Sequence, residues 1–255
     1  MANSSPSIPA LSRAVLFDAY GTLFDVYSVG QLAEELFPGH GLALSVLWRD
    51  KQIEYTRLVT TSNHGAHYQP FSALTRAALV YAIKKISTND YSTGATGQFD
   101  INLEADFKAR YGDQVERLLA QYQHLSAFPE NLAVLRELKS RGILTGILSN
   151  GDAPMLHAAV QSAGFADLLD HVISVDPIRL YKTDPQAYAL GEQATGFKAE
   201  QIVFVSSNAW DALGATWYGY QTLWVNRYQL PFEELGTQPT RVGSSLRAVL
   251  EFFPA

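Results

Sequence analysis

No cysteine occurs in the 255 residues. That removes disulfides, thiolate nucleophiles and Cys-ligated metal centres in one step. Positive charge is also scarce, with 19 Lys and Arg against 25 Asp and Glu and a net charge of −6. Without a basic stripe or excess, nucleic acid is not expected as a partner. No apolar run reaches the length of about 18 residues needed for a membrane-spanning helix, so no membrane span is expected. The opening stretch "MANSSPSIPALSR" has neither a basic n-region nor a continuous apolar core, so it does not read as a signal peptide. A cytoplasmic location is the expectation. What the chain does have is a hydrophobic content of 47% with charged residues at 17%, a balance that supports a packed globular core.

Five short runs read as strands: "RAVLF" (13–17), "ILTGILS" (143–149), "HVISV" (171–175), "QIVFVSS" (201–207) and "QTLWVN" (221–226). Most are continuously apolar rather than alternating, the pattern of strands covered on both faces in a parallel sheet. Helical segments separate the later runs. In "PENLAVLRELKSRG", Leu132, Leu135 and Leu138 form a stripe, Pro129 suits a first helical turn and Gly142 suits a stop. Strands alternating with such helices predict a doubly wound, Rossmann-like α/β core.

The interval between the first and second runs is too long for one crossover. "SVGQLAEELF" places Val29, Leu32, Ala33, Leu36 and Phe37 on one helical face, and Phe107, Tyr111, Val115, Leu118 and Tyr122 repeat the pattern later. Between them "STNDYSTGATGQFD" (87–100) reads as a loop. The predicted organisation is a mostly helical cap at 26–125, inserted into an α/β core made of 1–25 and 126–255. No internal repeat is evident.

In open parallel α/β sheets, ligands bind beyond the carboxyl ends of the strands. The residues following each predicted strand are Asp18 and Tyr20, then Ser149 and Asn150, then Tyr181 and Lys182, then Ser206, Ser207, Asn208 and Asp211. Ser, Asn and Asp are common turn and cap residues individually. Polar groups gathered at four strand ends point instead to a site.

The stretches "FDAYGTLFD", "LSNG", "YKTDPQAYAL" and "FVSSNAWDA", in this order, resemble the haloacid dehalogenase superfamily, and within it the L-2-haloacid dehalogenases. The "DxxGTL" element marks only the superfamily; "SSNAWDA" points to the dehalogenase branch. The likeness runs along nearly the whole chain, and is weakest at the N-terminal tail and over 87–100. Superfamily phosphatases carry an aspartate two residues after the nucleophile, as general acid, and acids after the fourth strand that hold Mg²⁺. Here those places hold Tyr20 and "SSN". A halide leaves without a proton and a haloacid has no phosphoryl group to clamp, so both replacements suit dehalogenation without metal or cofactor.

The resemblance implies the following roles. Asp18 is the nucleophile that forms an ester with the halogen-bearing carbon, inverting it. Lys182 pairs with Asp18 and keeps it ionised. Asp211, with Asn208 and Ser206, positions the hydrolytic water. Thr22 and Ser149 hold Asp18 and the substrate carboxylate, helped by backbone N–H groups in the turn after Asp18. Tyr188 belongs to the same set. Arg49 accepts the halide, Asn150 and Trp210 complete its cradle, and Tyr20, Ile53 and Phe71 supply apolar walls. A homodimer is the family expectation.

Two residues depart from the family pattern: Asp50 stands where a glutamine is expected, beside the halide site, and Thr183 stands where "YKPDP" would place proline. "HGAH" (His64 and His67) has loose metal-like spacing but no partner ligands in sequence, and reads as a cap loop. The expected activity is hydrolysis of short L-2-haloacids to D-2-hydroxyacids plus halide. The alternatives are a phosphatase of the same superfamily and a non-catalytic binder of small carboxylates. An intact Asp18, Lys182 and Asp211 set argues against the second, since binding needs no nucleophile.

Overall fold

The computed structural model describes residues 11–87 and 101–254, apart from the side chains of 101–103. The expected loop at 87–100 lies outside the described residues, Ser87 excepted. The strands are β1 (Ala14–Phe17), β2 (Leu144–Ser149), β3 (His171–Ser174), β4 (Ile202–Ser206), β5 (Gln221–Val225) and β6 (Arg241–Gly243). They form one parallel sheet in the order β3-β2-β1-β4-β5-β6. Each of the five apolar runs contains one strand. The sixth was not expected from the sequence, because its three residues carry one apolar side chain, Val242, which stays exposed. Backbone pairing with β5 makes it a strand, and hydrophobic patterning has no part in it.

Central β1 explains its own composition. Leu16 pairs with Gly146 on one side and Phe204 on the other, and all four β1 side chains are fully buried. The chain moves outward from β1 through β2 to β3, then returns to β4 on the opposite flank. The direction of winding therefore reverses beside β1, and the crevice at such a reversal is where doubly wound sheets hold ligands. Asp18 is the first residue past β1. It is followed by a tight turn in which Gly21 takes φ +95°, a conformation that L side chains resist.

Helices cover both faces. The core helices are α5 (Asn131–Ser140), α6 (Ala153–Ser162), α7 (Pro185–Thr195) and α8 (Ala209–Tyr218), and the four between β1 and β2 are α1 (Gly30–Leu36), α2 (Gly41–Thr61), α3 (Phe71–Ile86) and α4 (Ile101–Tyr122). In α5, Leu135 and Leu138 are buried as the stripe predicts, and Gly142 follows the helix at φ +70°. Pro129 is not in the first turn: the N-cap is Glu130, so the proline precedes the helix. The first turn belongs to Asn131, whose buried amide donates to the carbonyls of Thr22 (3.3 Å) and Leu23 (2.9 Å) and so ties α5 to the turn after Asp18.

Among the four helices between β1 and β2, the predicted stripes face inward. Val29, Ala33 and Phe37 are buried beside α1, and Phe107, Val115, Leu118 and Tyr122 are buried on α4; Leu32, Leu36 and Tyr111 are partly covered. The segment leaves and re-enters at one place. The Asp25 amide donates to the Ser126 carbonyl at 2.8 Å, and Phe24 bridges Ala127.

One packing contact joins the sheet to the site. Gly191 on α7 lies so close to Leu16 and Tyr220 that a methyl group there would overlap both. The Tyr220 hydroxyl donates to the backbone carbonyl of Tyr188 at 2.5 Å. Gly191→Ala is therefore expected to destabilise the fold by about 1–3 kcal/mol through overpacking, read as a lower midpoint in thermal denaturation.

Candidate active site

Lys182 is 1% exposed, an extreme position for an ammonium group. Its Nζ donates to Asp18 Oδ1 at 3.0 Å and to Asp211 Oδ2 at 2.9 Å, and lies 4.8 Å from the centre of the Phe204 ring. Burial alone would lower its pKa. The charges of Asp18 and Asp211 and the hydrogen bonds they accept outweigh that, and the group ends above its ordinary value. Asp211 is fully enclosed. Burial pushes its carboxyl up to about 6, against the opposing pull of Lys182. Its other oxygen accepts from the Tyr188 hydroxyl at 2.8 Å. Burial and the Asp211 charge together hold the Tyr188 phenol well above its usual range, so it stays a donor.

The second oxygen of Asp18 is held from the other side. Asn208 Nδ2 donates to Oδ2 at 2.8 Å and Thr22 Oγ1 donates at 3.3 Å. Thr22 Oγ1 also accepts from the Ser207 amide at 2.8 Å, locking the turn after β1 to the turn after β4. Ser206 does not line the pocket. It is fully buried and acts through its neighbour, accepting from the Asn208 amide at 3.1 Å. In the turn after Asp18, the amides of Gly21, Thr22, Leu23 and Phe24 are all committed to carbonyls within the turn. Of the backbone donors expected there, only those of Ala19 and Tyr20 remain.

A small cavity opens onto Asp18, walled by Tyr20, Ile53, Phe71 and Trp210, with Arg49, Thr56, Ser149 and Asn150 completing it. Asp18 and the residues expected at the halide and substrate walls thus gather at one point from the ends of β1 and β2 and from α2, α3 and α8, while Lys182, Asn208, Thr22, Asp211 and Tyr188 stand behind Asp18. Arg49 Nη2 donates to the Tyr20 carbonyl at 3.0 Å and to Asn208 Oδ1 at 3.2 Å. Asn150 Oδ1 accepts from the Lys182 amide at 3.0 Å, which leaves its Nδ2 end to donate. Ser149 Oγ accepts from the Gly151 amide at 3.1 Å, which leaves its proton free. Tyr20 stacks on Tyr122 with ring centres 5.6 Å apart. Burial first, then nearby Tyr122, Asp152 and Asp18, hold its phenol well above the usual range. Such a phenol is a poor proton donor to a leaving group.

Sequence reasoning missed Gln52 and Thr56. Gln52 is buried, accepts from Arg49 Nη1 at 2.8 Å and from the Tyr122 hydroxyl at 3.2 Å, and donates to Thr75 Oγ1 at 2.6 Å. The signal was present: Leu44, Trp48, Gln52 and Thr56 recur every four residues, so two polar residues sit on the buried stripe of α2. Asp50 is exposed and does not line the cavity, although it adjoins Arg49. His64 and His67 are exposed, and among the described residues no three His, Asp or Glu side chains cluster in a way that could hold a metal ion.

The model of the haloacid dehalogenase-like hydrolases matches residues 12–219. This chain belongs to that family. An (S)-2-haloacid dehalogenase of Pseudomonas sp. (strain YL) is 42% identical over 94% of both chains. The crystal structure of an L-2-haloacid dehalogenase superposes with a TM-score of 0.84 at 49% identity, covering 96% of this chain and 99% of that one. The L-2-haloacid dehalogenase of Xanthobacter autotrophicus with chloropropionic acid covalently bound superposes at 0.79 and 30% identity, covering 96% and 100%. In this haloacid dehalogenase-like hydrolase, Asp18 follows the central strand and the Lys182 ammonium joins it to Asp211.

Replacing Lys182 with Met leaves Asp211 buried without its cation, a loss expected to cost about 3–5 kcal/mol near pH 7. Lys182 lowers the Asp211 pKa, so without it that pKa rises further above its unfolded value. The folded variant then binds more protons than the unfolded chain, and its stability falls as pH rises through that interval. The deficit relative to wild type, measured by urea denaturation, should be smaller at about pH 5 than at about pH 8.

Proposed function

We propose that the protein hydrolyses short (S)-2-haloacids to 2-hydroxyacids and halide through an ester on Asp18, with inversion. The observation that carries this is the setting of Asp18. Its oxygens are held by Lys182, Asn208 and Thr22 against an apolar cavity, with a neutral Tyr20 where a phosphatase would keep its acid. A carboxylate oxygen attacks the halogen-bearing carbon, the carbon–halogen bond breaks, and the pair leaves with the halide. No proton is needed at the leaving atom. Arg49 and Asn150 offer N–H donors to the departing anion, and Ser149 offers a hydroxyl to the substrate carboxylate.

Water then adds to the ester carbonyl of Asp18. Asp211, aligned by Tyr188 and Lys182, takes its proton, with Asn208 and Ser206 fixing the geometry. The ester C–O bond breaks as the departing alkoxide takes the proton of the new Asp18 carboxyl, which releases the hydroxyacid and regenerates the Asp18 carboxylate, and the proton on Asp211 passes to solvent. Lys182 balances negative charge on both carboxylates throughout. In this reading the helices of 26–125 serve as a cap that brings Arg49, Ile53 and Phe71 over a core made of 1–25 and 126–255. The protein works as a cytoplasmic homodimer without a cofactor, as the family likeness suggests.

Halide release from 2-chloropropionate in EDTA tests the reaction, and electrospray mass spectrometry tests the intermediate. Wild type is expected to release halide with preference for the S enantiomer. Asp18→Asn should lose at least about 10³-fold in kcat, the scale expected when a nucleophile is removed. Asp211→Asn is expected to accumulate an adduct with the mass of the substrate less halide. Mg²⁺-dependent hydrolysis of an aryl phosphate, with no halide released, would replace this reading with the phosphatase one.

A further inference from the structure

The cavity at Asp18 is too small for its proposed substrate. Only about 10 Å³ is open to the centre of a water-sized sphere, room for roughly one water. Outside it lies a cleft of about 500 Å³. The two cavities share two side chains, Ile53 from α2 and Trp210 from the first turn of α8. These form the partition between the two.

Charge at that partition is lopsided. Asp50, Glu54 and Glu233 line the cleft, and its one cation is Arg57. Glu54 is paired with Lys51 at 2.8 Å, whereas Asp50 and Glu233 have no ion pair among the described residues. Arg57 stands one helical turn beyond Ile53 and is exposed. It has no carboxylate partner among the described residues, and its Cζ lies 5.1 Å from the centre of the Trp210 ring. An interaction through the ring face uses the face of the guanidinium and leaves its N–H edge free for a carboxylate. The protein as a whole carries a charge of −6, so an anion approaching this mouth meets one attractive group.

We propose that Arg57 is the recruiting residue for the haloacid carboxylate, holding it against the Ile53–Trp210 partition before entry, and that Asp50 opposes it. This rests on the dehalogenase reading. Arg57 does not line the cavity at Asp18 and meets it only through the Trp210 ring, so its charge acts on capture and not on the chemical step. Asp50 lines the same cleft with the opposite sign.

Steady-state halide release from (S)-2-chloropropionate decides it, measured at about 10 mM and about 500 mM ionic strength in wild type and three variants, where screening separates exposed charges from packing. Arg57→Gln should lower kcat/KM by about 5- to 30-fold at low salt, entirely in KM, and by under about twofold at high salt. Arg57→Lys should restore most of the loss. Asp50→Gln should raise kcat/KM by about two- to fivefold at low salt and fade likewise. A defect in kcat, a defect that persists in salt, an unaltered Arg57→Gln, or an Asp50→Gln no better than wild type would overturn the recruitment role while leaving the dehalogenase intact. A wild type that releases no halide from any 2-haloacid overturns both.

Discussion

The buried ammonium of Lys182 is the constraint around which the rest is organised. Two carboxylates, one at the end of β1 and one in the first turn of α8, share this one ammonium, and burying them together without a positive charge between them would be costly. That charge must be brought from a third place, the loop after β3, and the fold does so by closing hydrogen bonds around it. Asp18 then has one oxygen on the Lys182 ammonium and the other on Asn208 and Thr22. Asp211, at the N-terminal end of α8, gains support from the helix dipole and from Tyr188. Gly191 matters for the same reason, because it lets Tyr220 reach Tyr188 and keep it in place.

The second layer of organisation runs across the sheet ends. Arg49 lies on a helix far from β1 in sequence, yet its guanidinium closes on the Tyr20 carbonyl and on Asn208. Gln52 holds the other side of that guanidinium and is itself fixed by Thr75 and Tyr122. A chain of polar groups therefore runs from α2, α3 and α4 to Asp18. Each member has a partner, the condition under which buried polar networks fix one geometry.

Much of this was legible in the residues. Five runs, most of them continuously apolar, predicted the strands, and Asp18 and Asp211 could be placed just beyond strand ends, with Lys182 some residues past the third strand, from the order of the elements. Their roles, and the choice of Arg49, came from resemblance, since an arginine on an amphipathic helix usually faces water. The edge strand β6 escaped because backbone pairing leaves no apolar signature in three residues. Pro129 was misplaced because proline suits both the first helical turn and the turn before it. Gln52 carried a signal, a polar residue on a buried stripe, that composition does not reveal and spacing does.

The sequence by itself determined the parallel α/β core, the aspartate delivered at the end of its central strand, and the absence of an acid two residues on. Those follow from local periodicity and residue identity, which act within one element. Only the tertiary structure decided that Asp50 faces an outer cleft and not the cavity at Asp18, that Tyr20 is too deeply buried to give up a proton, and that Ile53 and Trp210 wall both cleft and cavity. These depend on which faces of separate helices meet across the sheet ends, where burial and nearby charge, rather than residue type, set what each group can do.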